Sequence, residues 1–123
     1  MTETTVDISP RGELEPISAA QLRASIELAV DKDRVEGNSI LVDLGTLMPI
    51  VELYILEEQV YISPCALEVW PRDMYVKAQE LYDFLDKNAE DDTIADKPVL
   101  IDERPVVGVR VVDDTYIVLE VAS

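Results

Sequence analysis

The sequence predicts an α+β fold: one domain over residues 1–123, built from two tandem βαβββ units with a mostly antiparallel sheet and two helices. Three observations predict it. Short alternating apolar segments and two longer stretches of helical period follow one another in the same order twice. Several segments of the first half match segments of the second. The chain has 123 residues and is 48% hydrophobic. A chain of that length buries roughly two-thirds of its unfolded surface around a single core.

Met1–Thr4 is expected to be flexible. Thr5-Val6-Asp7-Ile8-Ser9 then alternates like a strand and stops at Pro10. Residues 11–17, with Gly12 and Pro16, read as a loop. Ser18 followed by Gln21 is a capping-box pattern, and it opens a helix over Ala19–Arg34. The apolar stripe of that helix is Ala19, Leu22, Ile26, Ala29 and Val30, with Leu28 outside it. Gly37-Asn38 ends it. Ser39–Leu44 reads as a strand, Gly45–Pro49 as a break, and Ile50–Leu56 and Gln59–Ser63 as strands about a tight Glu57-Glu58 turn. Past Pro64-Cys65, Ala66–Trp70 is a further short strand. Pro71 suits the first turn of a helix that runs to about Lys87, with Met74, Ala78, Leu81, Tyr82 and Leu85 on one face. Asn88–Lys97 is an acidic connection, and Val99–Asp102, Val106–Val112 and Thr115–Val121 are three more strands.

The order is β-α-β-β-β twice, with repeat 1 at about 5–63 and repeat 2 at about 66–121. Val6-Asp7-Ile8-Ser9-Pro10 matches Leu67-Glu68-Val69-Trp70-Pro71, and Val30-Asp31-Lys32 matches Leu85-Asp86-Lys87. Ile40-Leu41-Val42-Asp43 matches Val99-Leu100-Ile101-Asp102. Pro49–Ile62 lies over Pro105–Val118 without a gap, which places Glu57-Glu58 on Asp113-Asp114. In that register Val51, Leu53 and Ile55 share a face with Val107, Val109 and Val111, while Glu52 and Tyr54 fall on Gly108 and Arg110. A slip of one residue would turn each apolar set outward, so a shared register is a physical constraint. The competing explanation is two unrelated hairpins that look alike because strands favour the same residue types.

Charge excludes several functions. Lys and Arg number 10 against 26 Asp and Glu, with no histidine and a net charge of −16. The pI is about 4.1 and the mean hydropathy +0.07, too apolar for a disordered acidic chain. Residues 1–63 hold 12 acids and 4 bases, and residues 64–123 hold 14 acids and 6 bases, so each half carries −8. The charge belongs to the folded body rather than to a tail. Phosphate-led binding to nucleic acid or an anionic membrane is disfavoured by that balance. Without histidine the usual proton shuttle and the commonest transition-metal ligand are missing. The acidic start has no signal-peptide pattern, and no apolar run is long enough to span a bilayer. Cys65 stands alone, which rules out an internal disulfide and points to a reducing, cytoplasmic setting. It reads as a small buried hydrophobe, since no histidine can activate it.

The candidate partner-binding residues are the acids at turns and in the connection, Glu57, Glu58, Glu90, Asp91, Asp92, Asp113 and Asp114, together with the outward Tyr54. Aromatics are enriched at interface hot spots, which also brings in Phe84, off the main helix stripe. Asp43 and Asp102 sit at matching strand ends and could approach each other across a twofold axis as a cation or proton-transfer site. Acids also prefer turns and strand ends for purely local reasons, the stronger explanation here. Glu90-Asp91-Asp92 with Asp96 lacks the ligand spacing of a calcium loop. No catalytic, metal or cofactor residues are expected.

In element order, across the whole chain, tandem βαβββ modules resemble the vicinal-oxygen-chelate superfamily, which includes glyoxalases and antibiotic-sequestering resistance proteins. That resemblance implies His and Glu metal ligands on the sheet. This chain has no histidine, and Asp113-Asp114-Thr115 stands in place of the family's Asp-Pro-x-Gly turn. What it leaves is a metal-free small-molecule binder favouring cationic ligands, with a groove lined by Asp43, Glu52, Tyr54 and Asp102. The order is also similar to half a sliding-clamp subunit, here without cationic helices, and to small acidic secretion chaperones.

The function expected first is a small, acidic, non-enzymatic binding protein that antagonises a basic or nucleic-acid-binding protein, of immunity, anti-restriction or DNA-mimic type. Its partner is a basic protein surface, with no direct nucleic acid and no membrane. Two apolar sheet faces need more cover than two helices provide, which makes a homodimer plausible. The alternatives are acidity as an adaptation to high salt, the cationic-ligand binder, and an acidic chaperone or adaptor.

Overall fold

Ser18 and Gln21 cap the first helix reciprocally: the Ser18 amide donates to Gln21 Oε1 at 2.9 Å and the Gln21 amide donates to Ser18 Oγ at 3.2 Å. In this computed structural model, residues 5–8, 16–31, 39–65, 75–88, 90–112 and 116–122 are described. Among them, the chain forms β1 (Thr5–Asp7), α1 (Ala19–Asp31), β2 (Ser39–Asp43), β3 (Leu47–Leu56), β4 (Gln59–Pro64), α2 (Ala78–Asn88), α3 (Asp92–Ala95), β5 (Leu100–Ile101), β6 (Arg104–Val112) and β7 (Tyr116–Val121). The expected strand over Ala66–Trp70, Asp113, Asp114 and the N-terminal four residues lie outside the described residues.

The fold is a mixed α+β domain whose strands form one mostly antiparallel sheet. The hydrogen-bonded order is β1-β6-β5-β4-β3-β2-β7, and β7 returns to pair with β6. Six strands, β2 to β7, therefore close a ring, and β1 pairs antiparallel with the far half of β6. Only β2–β7 and β4–β5 are parallel. Ring closure removes most of the unpaired edge that an open sheet would present.

Side chains of one parity join the helices in a single core. Leu22 and Ile26 of α1, Leu81 and Leu85 of α2, Ile40, Val42, Ile50, Val60 and Ile62 of the first strand group, and Ile101, Val109, Val111, Ile117 and Leu119 of the second are all buried. Each such side chain contributes about 1.5–3 kcal/mol of transfer free energy. Leu28, off the helix stripe, is exposed. Ser25 is the one buried polar side chain among the described residues, and its hydroxyl is placed against Ile8 O at 3.2 Å and Gln21 O at 3.1 Å.

The two halves repeat the same hydrogen-bond pattern, consistent with a repeated architecture. Leu41 pairs with Pro49 as Leu100 pairs with Pro105. Ladder irregularities fall between Ile50 and Glu52 and between Val106 and Gly108, which are equivalent positions. Val76 donates to Ile50 O at 2.7 Å, and Ile17 donates to Val106 O at 2.8 Å.

Four expectations need correction. The ungapped match of Pro49–Ile62 on Pro105–Val118 holds only through β3 and β6. Leu56 pairs with Gln59 across a two-residue turn, whereas Val112 pairs with Tyr116 across three residues. Beyond the turns Ile62 therefore corresponds to Leu119, and both are buried. The ungapped match would have set inward Ile62 on Val118, which lies on the opposite face of its strand.

Second, Gly45–Pro49 is not a break throughout, because β3 begins at Leu47 and runs through Pro49. Proline is tolerated there because the ladder irregularity follows at once. Third, α2 starts at Ala78 rather than Pro71. The Val76 amide bonds to β3, Leu81 donates to Lys77 O at 3.0 Å, and Glu80 Oε1 reaches back to the Lys77 amide at 3.4 Å. Fourth, the acidic connection contains α3. Asp91 Oδ1 caps it by accepting from the Thr93 amide at 2.9 Å, and Ile94 and Ala95 are buried.

Candidate protein-interaction surface

Hairpin geometry dictates where the first pair of candidate acids goes. A two-residue turn matching the strand twist needs positive φ at both central residues, and Glu57 and Glu58 have φ of 53° and 64°. Asp102 and Glu103, joining β5 to β6, repeat this with φ of 51° and 66°. Non-glycine residues adopt this conformation at a cost of roughly 1–2 kcal/mol each. Glycine and asparagine would sit there more easily, yet both turns are built from acids.

The structure brings Glu57 and Glu58 beside the segment that carries Glu90, Asp91 and Asp92. Lys97, just past α3, donates from Nζ to Glu57 O at 3.3 Å and lies 3.8 Å from Glu58 Oε2. Gln59 Nε2 donates to Pro98 O at 3.2 Å and fastens the same two segments. Glu57, Glu58, Glu90, Asp91, Asp92 and Asp96 are all exposed. Asp113 and Asp114 lie outside the described residues. Their flanks Val112 and Tyr116 pair at the end of the ring that carries the Glu57-Glu58 turn, because β6 and β3 run the same way around it.

Tyr54 is on the outer face of β3, 38% exposed, directly opposite Tyr61 of β4. Their rings stack, with centroids 5.1 Å apart and planes 9° from parallel. Glu52 and Leu56 share that face, and Leu56 is 56% exposed. Tyr61 was not among the expected site residues, although its signal is in the sequence. A two-residue turn at 57–58 pairs 54 with 61, and alternation against Val60 and Ile62 turns Tyr61 outward. Phe84, in contrast, is partly buried and packs against the core.

Asp43 and Asp102 have different surroundings. Asp43 meets Arg110, whose Nη2 donates to Asp43 Oδ2 at 3.3 Å, while Asp102 stands in the exposed β5–β6 turn. Arg110 Nε also lies 3.2 Å from Glu120 Oε1, close enough for charge pairing but not aligned as a hydrogen bond. Asp43 and Glu120 are directly paired in the β2–β7 register, so the guanidinium separates two carboxylates that would otherwise repel. In the sequence Arg110 stands out only as the counterpart of Tyr54. Its ion partners are remote in the chain and become neighbours only through strand pairing.

Asp43 and Arg110 line an open depression of about 270 Å³ with Gly45, Thr46, Leu47 and Tyr116. Of the residues expected to line a groove, Asp43 borders this depression, and Glu52, Tyr54 and Asp102 do not. Among the described residues no three His, Cys, Asp or Glu side chains gather as metal ligands. Partial burial pushes the Cys65 thiol above its ordinary pKa, which opposes thiolate chemistry. No helix of the described residues is long and apolar enough to cross a membrane.

The chain matches no family model. No curated protein or solved structure is significantly similar to it either.

Proposed function

We propose that this protein is a small, acidic, non-enzymatic binding protein that antagonises a basic or nucleic-acid-binding protein, in the manner of an immunity, anti-restriction or DNA-mimic protein. Its scaffold is two tandem βαβββ units derived by duplication. Its setting is cytoplasmic, and a homodimer is compatible with it. One observation carries the reading. Apart from Asp43 and Glu120, every acidic side chain whose burial is described is exposed. Of these exposed acids, only Asp86 and Glu58 have a basic partner among the described residues. Carboxylates left so open create a negative field that steers a cationic partner and responds to salt. Placing acids in the strained turns 57–58 and 102–103 supports the same reading, because local strain concentrates at functional positions.

The test is affinity capture from a cell lysate at low and at near-molar salt, with identification of retained proteins. A basic protein held at low salt and released at high salt is the expected result. Retention of no basic protein overturns the reading. Acidity as an adaptation to high salt predicts something different: a chain that unfolds in dilute buffer and recovers only at molar salt.

A second reading, a metal-free binder of small cationic ligands, has the depression beside Asp43 behind it. Thermal-shift measurements with polyamines and basic antibiotics test it, and absence of any stabilisation removes it.

A further inference from the structure

The outer face of β3–β4 joins an aromatic stack to Glu52, a carboxylate with no basic partner among the described residues, whereas Glu58 in the turn below is met by Lys97. From Leu47 to Pro64 the chain holds Glu52, Glu57 and Glu58 and not one Lys or Arg. Glu52 and Tyr54 are two residues apart on one strand face, which sets them about 7 Å from each other along the strand. Leu56 continues the row toward the acidic turn. The equivalent face of the second half is different. There Arg110 occupies the position of Tyr54 and supplies a cation to Asp43 and Glu120. The first half therefore presents rings and carboxylates where the second half also holds a guanidinium.

A guanidinium fits this face better than an ammonium does. It is planar, so it can lie against a tyrosine ring while its edge donates to a carboxylate. It also sheds water more readily than the compact lysine head group. We propose that the Tyr54–Tyr61 stack is the seat of an arginine side chain of the protein partner, with Glu52 as its carboxylate. This rests on the anionic-surface reading above and narrows it, from any cationic surface to one that projects an arginine.

The test titrates the full chain at low salt with oligoarginine and oligolysine peptides of equal length, by calorimetry and by the ring resonances of Tyr54 and Tyr61. Tyr54→Leu is expected to lower oligoarginine affinity by roughly two- to fivefold, the scale of an exposed cation–π contact, and to lower oligolysine affinity by less. Tyr54→Phe keeps the ring and keeps the preference, and Glu52→Gln weakens both peptides. Tyr61→Leu provides a second removal of the stack, and thermal unfolding of each variant shows that it is folded. Equal losses for the two peptides in Tyr54→Leu, or no loss, overturn the arginine seat while the anionic reading stands. Failure of both peptides to bind the unaltered chain overturns both. Concentration-dependent ring shifts without peptide would make the face a contact between copies, and that too overturns it.

Discussion

Arg110 Nη2 lies 3.3 Å from Asp43 Oδ2, and these residues are 67 positions apart in the chain. Parallel pairing of β2 with β7 sets Asp43 beside Glu120, and β6 runs along the other edge of β7. The arginine thus ties together three strands from both halves. All three side chains are partly exposed, so each ion pair contributes only modestly. Arg110→Gln should lower stability by about 1 kcal/mol at low salt, from lost pairing and from repulsion between Asp43 and Glu120. The loss should shrink as salt is added. In urea unfolding, Asp43→Asn combined with Arg110→Gln should cost less than the two separate losses together.

The strained turn makes a prediction of opposite sign. Replacing Glu57-Glu58 by Asn-Gly supplies the residues that positive φ favours, and should raise stability by roughly 1–2 kcal/mol. Thermal unfolding measures the gain, and capture of a basic partner at low salt should weaken in the same variant. A stabilised variant with undiminished capture would show that these carboxylates have no part in binding.

The match of Val30-Asp31-Lys32 with Leu85-Asp86-Lys87 sets Ile26 of α1 against Leu81 of α2, and both are fully buried. Ile26→Ala and Leu81→Ala should each cost roughly 2–5 kcal/mol through lost burial and a residual cavity. Leu28→Ala, at an exposed site on α1, should change stability by less than about 0.5 kcal/mol. Denaturant midpoints of the three variants check the ordering.

Cys65 offers a pH test. A raised thiol pKa means less thiolate at neutral pH, so alkylation should be slower than that of a free-cysteine peptide. Its rate should rise with pH through a midpoint above the ordinary thiol value. A midpoint below that value would reveal an activating cation and reopen a reactive role for Cys65.

Much of the fold is legible in the chain because its signals are local. The Ser18–Gln21 box starts α1 where expected, and the stripe through Leu22 and Ile26 is the buried face. Alternation along Glu52–Leu56 places Tyr54 outward, and the Glu57-Glu58 turn sits where two apolar runs meet. The acidic connection hid α3, because Asp91 and Asp92 look like solvated linker until Ile94 and Ala95 are known to be buried. The late start of α2 was hidden for a related reason: Pro71 permits a helix, but Val76 gives its amide to Ile50, far away in sequence.

The sequence by itself determined the buried face of α1, the outward side of Glu52, Tyr54 and Leu56 on β3, and that acids fill the 57–58 turn. Periodicity and turn chemistry are properties of neighbouring residues, and they need no knowledge of the rest of the molecule. Only the tertiary structure decided that β7 meets β2 and β4 meets β5 in parallel, closing six strands into a ring. The same closure gave Arg110 its two carboxylates and brought the 57–58 turn to Lys97. An alternating strand offers equivalent backbone donors and acceptors along both edges. Which strand takes them is settled by packing the whole chain around one core.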